Sequence, residues 1–301
     1  SMAYGTEAIA SGDNAMAIGT TSSATGADAM ASGVGSIANQ ERSIAYGPFA
    51  QARGIQAMAL GSNASATGNG SLAAGALASA TGSNSIAIGS NSSSTGIDSF
   101  SAGFNSTATA DNALAIGSSA AATANGSFAG GLAATASGAN AMALGTLSTA
   151  SATNSIALGT LSTASGLDAW AAGYNAKASG GNSTALGREA SATAIDAFAV
   201  GVQSQAIAAN SLAFGTQARA GNTDAIAIGF QSQALGTNSV ALGIRSSSAG
   251  TDSTVFGYQA TTTDNYDVAI GTNSAAEGPE ATAIGTNANA VGAKATAMGT
   301  N

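Results

Sequence analysis

The chain contains no cysteine and no histidine, and of its 301 residues only 5% are aromatic and 7% charged. Without cysteine there is no disulfide framework, which suits an exported chain that must not cross-link on its way out. Catalysis needs a positioned acid, base or nucleophile. With neither imidazole nor thiol, and with its carboxylates dispersed over turn-like stretches, the chain reads as no enzyme and calls for no cofactor and no metal. The dense Gly-Gly-x-Gly-x-Asp runs of calcium-binding β-rolls are missing too, so Asp28, Asp98 and Asp168 read as turn residues. The seven Lys and Arg are scattered against a formal net charge of −8. That leaves no basic stripe for phosphates and argues against nucleic acid as a partner. No run of about 18 apolar residues occurs, so no direct membrane insertion is expected of this segment. Ser1 is not followed by a basic stretch and an apolar leader, so any export signal is expected outside this sequence.

What the chain does have is 41 Gly, abundant Ala, Ser and Thr, and 45% hydrophobic residues. Such a composition has too little bulk for the core of an ordinary 28.2 kDa globule, yet is too apolar and too weakly charged for a disordered chain. The order lies in a repeat. Stepping by fourteen from Gly89 meets glycine at 5, 19, 33, 47, 61 and onward to 285 and 299, twenty-two times without a miss or an insertion. The segments Asn84–Gly96 (NSIAIGSNSSSTG) and Asn238–Gly250 (NSVALGIRSSSAG) show how closely the repeats agree.

With that glycine as offset zero, offset −2 is Ala in twenty of twenty-two repeats, Ser101 and Val255 being the exceptions, and −4 is Ser or Ala in all but Asp267. Offsets −3 and −1 are mostly large, as in Met16 and Ile18 or Phe198 and Val200. Alternation of small and large with period two predicts a β-strand. Two turn-like residues follow the glycine. A second strand is predicted next, with Ala or Ser at +3 in every complete repeat and at +5 in all but Thr262, then Gly or Ala at a second corner, +7, in eighteen of twenty-one cases. Gly or Ala at both corners suits tight turns with unusual backbone angles. Asn or Asp stands two residues further on in fourteen of twenty-one repeats, as expected of turn side chains that bond nearby backbone. The fold class expected is therefore all-β, a parallel β-roll or solenoid of about 22 fourteen-residue coils forming one repeat domain over residues 1–301. Coil spacing of about 4.8 Å predicts a rod on the order of 100 Å long. Of the twenty-two charged residues only Asp264 and Asp267 fall on the first strand, its glycine, or offsets +3, +5 and +7, as expected where an unpaired charge would be costly.

A roll filled by Ala and Ser is thin, and its large side chains must point outward from the first strand. Thirty-five of the forty-four −3 and −1 positions are large and apolar. Each is worth roughly 1.5–3 kcal/mol when buried, so the stripe reads as an interface between copies of the chain. Ile86, Ile88, Phe100, Met142, Leu144, Trp170, Phe198, Phe214, Ile226, Ile228, Val240 and Leu242 are its candidate residues. Where −1 shrinks to Ser, Ala or Gly (Ser32, Ala74, Ala102, Gly130, Ala172), −3 is large (Met30, Leu72, Phe100, Phe128, Trp170), a compensation expected of close packing. Phe104 and Tyr174 follow small −1 residues and are assigned to the same packing; Phe230 and Tyr258 share their offset. The second strand's outer face, at +2, +4 and +6, is rich in Asn, Gln, Ser and Thr and is left to solvent or ligand.

Those two phrases, and the gapless series they belong to, resemble the repeat of the YadA-like head of trimeric autotransporter adhesins, roughly N-S-V-A-I-G-x-x-S-x-A-x-G, over essentially the whole chain. The resemblance implies a left-handed roll, a side-by-side homotrimer, and a place on the cell surface of a Gram-negative bacterium. The stalk and the C-terminal region that anchors such adhesins to the outer membrane are expected outside this sequence. It further implies a non-enzymatic adhesin, binding extracellular matrix proteins such as collagen, fibronectin or laminin, host cells, abiotic surfaces or other bacteria by multivalent contacts. In the family, collagen binding is associated with the N-S-V-A-I-G phrase, which points to Asn84, Ser85, Asn238 and Ser239 as candidate contacts, with Leu242 replacing Ile; the neighbouring large residues are already assigned to the oligomer axis. Two departures from the pattern, Asn39-Gln40-Glu41-Arg42 and the stretch 261–267 with Asp264 and Tyr266, are either recognition bumps or local irregularities. An ice-binding solenoid would need a regular Thr array, and Thr-x-Thr at +4 and +6 occurs only at Thr107/Thr109 and Thr261/Thr263. A structural spacer or phage-type fibre is the other alternative, distinguished by whether the fragment adheres to anything.

Overall fold

A computed structural model describes residues 1–300, which divide into two compact units with the boundary after residue 151. Each unit is an all-β parallel solenoid, and the described residues contain no helix. In each coil a three-residue strand, such as Ile86–Ile88, is followed by a corner, a strand of mostly two residues, such as Ser93–Ser94, and a second corner. The first unit has eleven of each strand, from Met2–Tyr4 to Thr149–Ala150; the second has eleven long and ten short ones, from Ile156–Leu158 to Thr296–Met298. Within each unit the strands pair in parallel with those fourteen residues away, so Ile86 stands beside Phe100 and Ile88 beside Ala102.

Between the two sheets of each unit lie Ala and Ser almost alone, the largest buried side chains being Val255, Thr262 and Asp267. The expected inward offsets −4, −2, +3 and +5 are the buried ones, as Ser85, Ala87, Ser92 and Ser94 illustrate. The serine hydroxyls are not idle in this core. At −4, Ser85 Oγ donates to the Gly82 carbonyl at 2.7 Å; at +3, Ser92 Oγ donates to the Gly89 carbonyl at 2.9 Å. Both carbonyls lie three residues back, so the two halves of the coil are built alike, and a buried hydroxyl so paired avoids an unmet-hydrogen-bond penalty. Asp267 replaces this serine. Its two carboxylate oxygens accept the Asp264 and Ala281 backbone N–H groups, each at 2.9 Å, which reconciles a buried carboxylate with an alanine core. Asp264 itself, on the corner, is exposed.

The corners differ from the expectation in one respect. The offset-zero glycines hold left-handed or extended positive φ (Gly89, +121°), and a Cβ there would meet the next coil's Gly103 carbonyl oxygen at 2.5 Å. Apart from Gly278 and Gly292, at φ +122° and +99°, the +7 glycines do not hold positive φ; most are favoured instead because a Cβ would approach the carbonyl one coil further on, as at Gly96 against Ala110. The left-handed residue of that corner is instead the Asn or Asp at +9, with Asn84 at φ 55° and Asp98 at 55°, matched on the first corner by +2 residues such as Asn91 at 58°. Asn and Asp tolerate this region better than other non-glycine residues, which explains their frequency at +9. Position +2 thus belongs to the corner and not to the outer face of the short strand.

Two substitutions test this packing. Gly89→Ala is expected to cost about 2 kcal/mol or more, seen as a lowered thermal midpoint, whereas Gly181→Ala, with φ unstrained and no neighbour closer than 4.0 Å to its Cβ, leaves the midpoint unchanged. Ser101, the buried serine at an alanine position, has no partner for Oγ, so Ser101→Ala raises the midpoint, by about 1 kcal/mol in stability terms.

Candidate functional site

The first strands place their −3 and −1 side chains outside. Ile86, Phe100, Met142, Leu144, Ile226, Val240 and Leu242 are half-covered by neighbouring coils, while Ile88 (41% accessible), Trp170, Phe198, Phe214 (50%) and Ile228 are exposed. None of the twelve enters the core, as expected of an outward face. Part of the volume compensation is met within one chain: a Cβ on Gly130 would lie 2.7 Å from Leu144 Cδ2 and 3.3 Å from the Phe128 ring, so ring and leucine occupy the space the glycine leaves. Phe104, Tyr174, Phe230 and Tyr258 stand exposed beside this face, just after the offset-zero glycine.

Among the candidate contacts, Asn84 and Asn238 are exposed but Ser85 and Ser239 are not. Both serines are fully buried and donate to Gly82 and Gly236, each at 2.7 Å, so a surface ligand does not reach them. Their −4 offset puts them on the inward side of the coil, and the pleat leaves no choice. Asn84 and Asn238 do not bond nearby backbone as expected. Their amides donate fourteen residues ahead, to Asp98 Oδ1 at 3.0 Å and Asp252 Oδ1 at 2.9 Å. The same Asn-to-Asp bond recurs at 14→28, 154→168, 182→196 and 210→224, forming rungs along one corner of the roll. Asp28, Asp98 and Asp168 are the acceptors of such rungs, and among the described residues no group of three acidic side chains is placed to hold a metal.

The two departures are regular corners in disguise. Ser43 keeps the usual bonds to Gln40, donating to its carbonyl at 2.7 Å, and Arg42 takes the left-handed position at φ 54°, beside Glu41 at 3.5 Å. At 264–267 the Asp267 carboxylate does the serine's work, Thr263 Oγ1 donates to Asp264 at 3.1 Å, and Tyr266, 60% accessible, occupies the left-handed position at φ 63°.

A third site lies on the corner and short strand of the second unit and was not singled out from the sequence. At +2, Gln203 Nε2 donates to Glu189 Oε2 at 2.8 Å, Gln217 to Gln203 at 3.0 Å, Gln231 to Gln217 at 2.9 Å, and Arg245 Nε to Gln231 at 3.2 Å. Arg188 closes the far end with a 3.1 Å bond to Glu189. Beside this ladder the +4 side chains Gln205, Arg219 and Gln233 complete the wall of a polar trough of about 480 Å³. A second hollow, of about 370 Å³, shares Gln217 and Gln233 and extends to Arg245, Ser246 and Ser247. The column Glu189, Gln203, Gln217, Gln231, Arg245 is visible when every fourteenth residue is read downward, the signal that would have found it.

The Gln203 amide, and after it the Arg188 guanidinium, stabilise the charged form of Glu189 and hold its carboxyl below the ordinary glutamate value.

Compared with known families, the chain matches a model of the YadA head domain repeat, taken two copies at a time, at residues 1–22, 24–50, 52–78, 66–92, 80–106, 94–120, 108–134, 136–162, 164–190, 192–218, 220–246, 248–274 and 276–301. No curated protein matches the chain.

A carboxylate depressed by these partners favours the ladder above its unfolded-state pKa, and the contribution is lost as pH falls through the lower, folded value. In a carbon-13 titration Glu189 is therefore expected to show a midpoint below the ordinary glutamate value, rising when Gln203→Ala removes the amide. A midpoint indifferent to that substitution contradicts the ladder.

Proposed function

The chain belongs to the YadA head domain family, and from that premise we propose that it is the non-enzymatic head of a trimeric, surface-anchored bacterial adhesin. The observation that carries the reading is the outward face of large apolar side chains on a roll whose interior takes only small ones. Exposed rows such as Ile88, Ile116, Phe214 and Phe256 are not stable neighbours for water, and burying them at roughly 25 cal/mol per Å² favours association strongly. Three copies packed side by side on this face, with the left-handed coil of the family, turn the polar corners and short strands outward. The fourteen-residue register runs from Gly145 to Gly159 without insertion, which supports one repeat array over 1–301.

Adhesion then arises from many weak contacts repeated along and around the trimer, each added contact being intramolecular once the first is made. Matrix proteins such as collagen, fibronectin and laminin, host cells, other bacteria and abiotic surfaces are the classes of target, met at the exterior of a Gram-negative cell to which a separate C-terminal region ties the head. Asn84 and Asn238 remain available on the outer corner, with Asp264 and Tyr266 on the other exposed departure.

Sedimentation tests the assembly. Ile88→Asp places a charge on the apolar face and is expected to shift the trimer towards monomer at micromolar concentration, while Ser93→Asp, on the short strand's outer side, leaves it intact. Equal trimer stability in the two variants overturns the face assignment. The intact trimer is expected to retain binding to at least one surface in a panel of collagens, fibronectin, laminin and bare plastic; adherence to none of them favours a structural spacer.

A further inference from the structure

The trough beside the glutamine ladder presents an excess of hydrogen-bond donors that no protein group answers. Each ladder amide spends one N–H and its oxygen on neighbours, so one N–H of each glutamine remains free, a row spaced by about 4.8 Å. Gln205, Arg219 and Gln233 line the opposite side, and none of the three makes a side-chain hydrogen bond or ion pair. The nearest carboxylate of the wall, Glu189, is already engaged by Gln203 and Arg188. Arg219 is thus a guanidinium without a protein counter-ion in a lining of Gln, Arg and Glu side chains, whose methylenes contribute about as much surface as their polar groups.

We infer that this trough is a binding site for a linear polysaccharide carrying carboxylates, lying along the roll with one carboxylate on Arg219 and its hydroxyls on the glutamine amides. The inference rests on the adhesin reading only in taking the ligand to be a surface polymer. A guanidinium pairs with a carboxylate in two parallel bonds, and primary amides bond hydroxyls as both donor and acceptor. A peptide is disfavoured on two counts. The lining has no apolar pocket for its side chains, and the backbone beneath is already paired between coils, with Gln205 N–H on Ala218, Arg219 N–H on Ser232 and Gln233 N–H on Ser246, each at 2.8 Å, so no strand edge is open for addition. One unpaired cation matches a chain whose charge comes as single carboxylates better than a densely sulfated one.

The test uses the full chain and alginate as probe, with dextran, dextran sulfate and polyglutamate in parallel arms, followed by calorimetry at low and physiological salt. Alginate is expected to bind at least tenfold more tightly than any of the other three, and Arg219→Gln, like the pair Gln205→Ala and Gln233→Ala, to weaken it at least tenfold while the far-ultraviolet spectrum and trimer mass stay unchanged. No alginate binding, binding indifferent to these outward-facing variants, or equal binding of polyglutamate, dextran or dextran sulfate overturns the inference. Matrix-protein binding measured on the same samples separates the two readings: its survival where alginate fails sinks the trough and leaves the adhesin standing.

Discussion

The distance between the two sheets governs this molecule. The corners are so tight that a Cβ on Gly89 has nowhere to go, and the strands they join approach until little larger than Ala and Ser fits between them. Side chains that small bury little apolar area apiece, so a core of this kind is weak per residue by the standard of Leu and Phe. What repeats without loss is the backbone ladder between coils: Ile86 N–H to Ser99 at 2.9 Å, Gly103 N–H to Ile88 at 2.8 Å, Asn105 N–H to Ser90 at 3.0 Å. The bonds continue around the corners as well as along the strands, so turn backbone that would otherwise need water is paired with its equivalent one coil away.

The same thinness moves the bulky residues outward and makes the chain depend on company. In a thick sandwich Ile88 or Phe214 would be core; here the core has no room, and their burial has to come from outside the coil. In the proposed trimer this links the geometry of one corner to assembly and, through assembly, to the repeated polar display that multivalent attachment requires. In the proposed assembly stability and function draw on opposite faces of the same fourteen residues, leaving the outward side chains of the short strand and its corners free to vary in sequence. The glutamine trough is one such variation, built without altering a buried position.

Much of this was legible in the sequence because the constraint is periodic. The Gly series, the Ala at −2 and the small residues at +3 and +5 announce the coil, and the alternation assigns Ile86 and Ile88 outward. What was not legible involves partners one coil away. Asn84 looks like a local turn residue until the fold sets Asp98 beside it, and Gln203 looks like an isolated polar residue until Glu189 and Gln217 bracket it. Ser85 and Ser239 depart from the binding expectation for another reason: the pleat alternates within their phrase and turns its serine inward. At +7 the preference for glycine comes from a neighbouring carbonyl, which no local sequence pattern records.

In-register stacking also accounts for the scarcity of charge with which the sequence begins. Any residue in such a roll has its equivalents about 4.8 Å above and below, where two like charges repel by about 0.9 kcal/mol even in water and by more where solvent is partly excluded. Among seven Lys and Arg and fifteen Asp and Glu, only two pairs stand fourteen residues apart, Asp28 with Arg42 and Glu280 with Lys294, and both are opposite in sign. Lys294 Nζ indeed lies 3.9 Å from Glu280. From 182 to 252 the corner column alternates Asn and Asp without exception, which separates the carboxylates by two coils and supplies each with an amide donor from the coil before it. The Glu189 column obeys the same rule, with three neutral amides between its carboxylate and the Arg245 cation. A parallel roll avoids like charges in successive coils, and glutamine and asparagine are the residues that let a column stay polar without that repulsion.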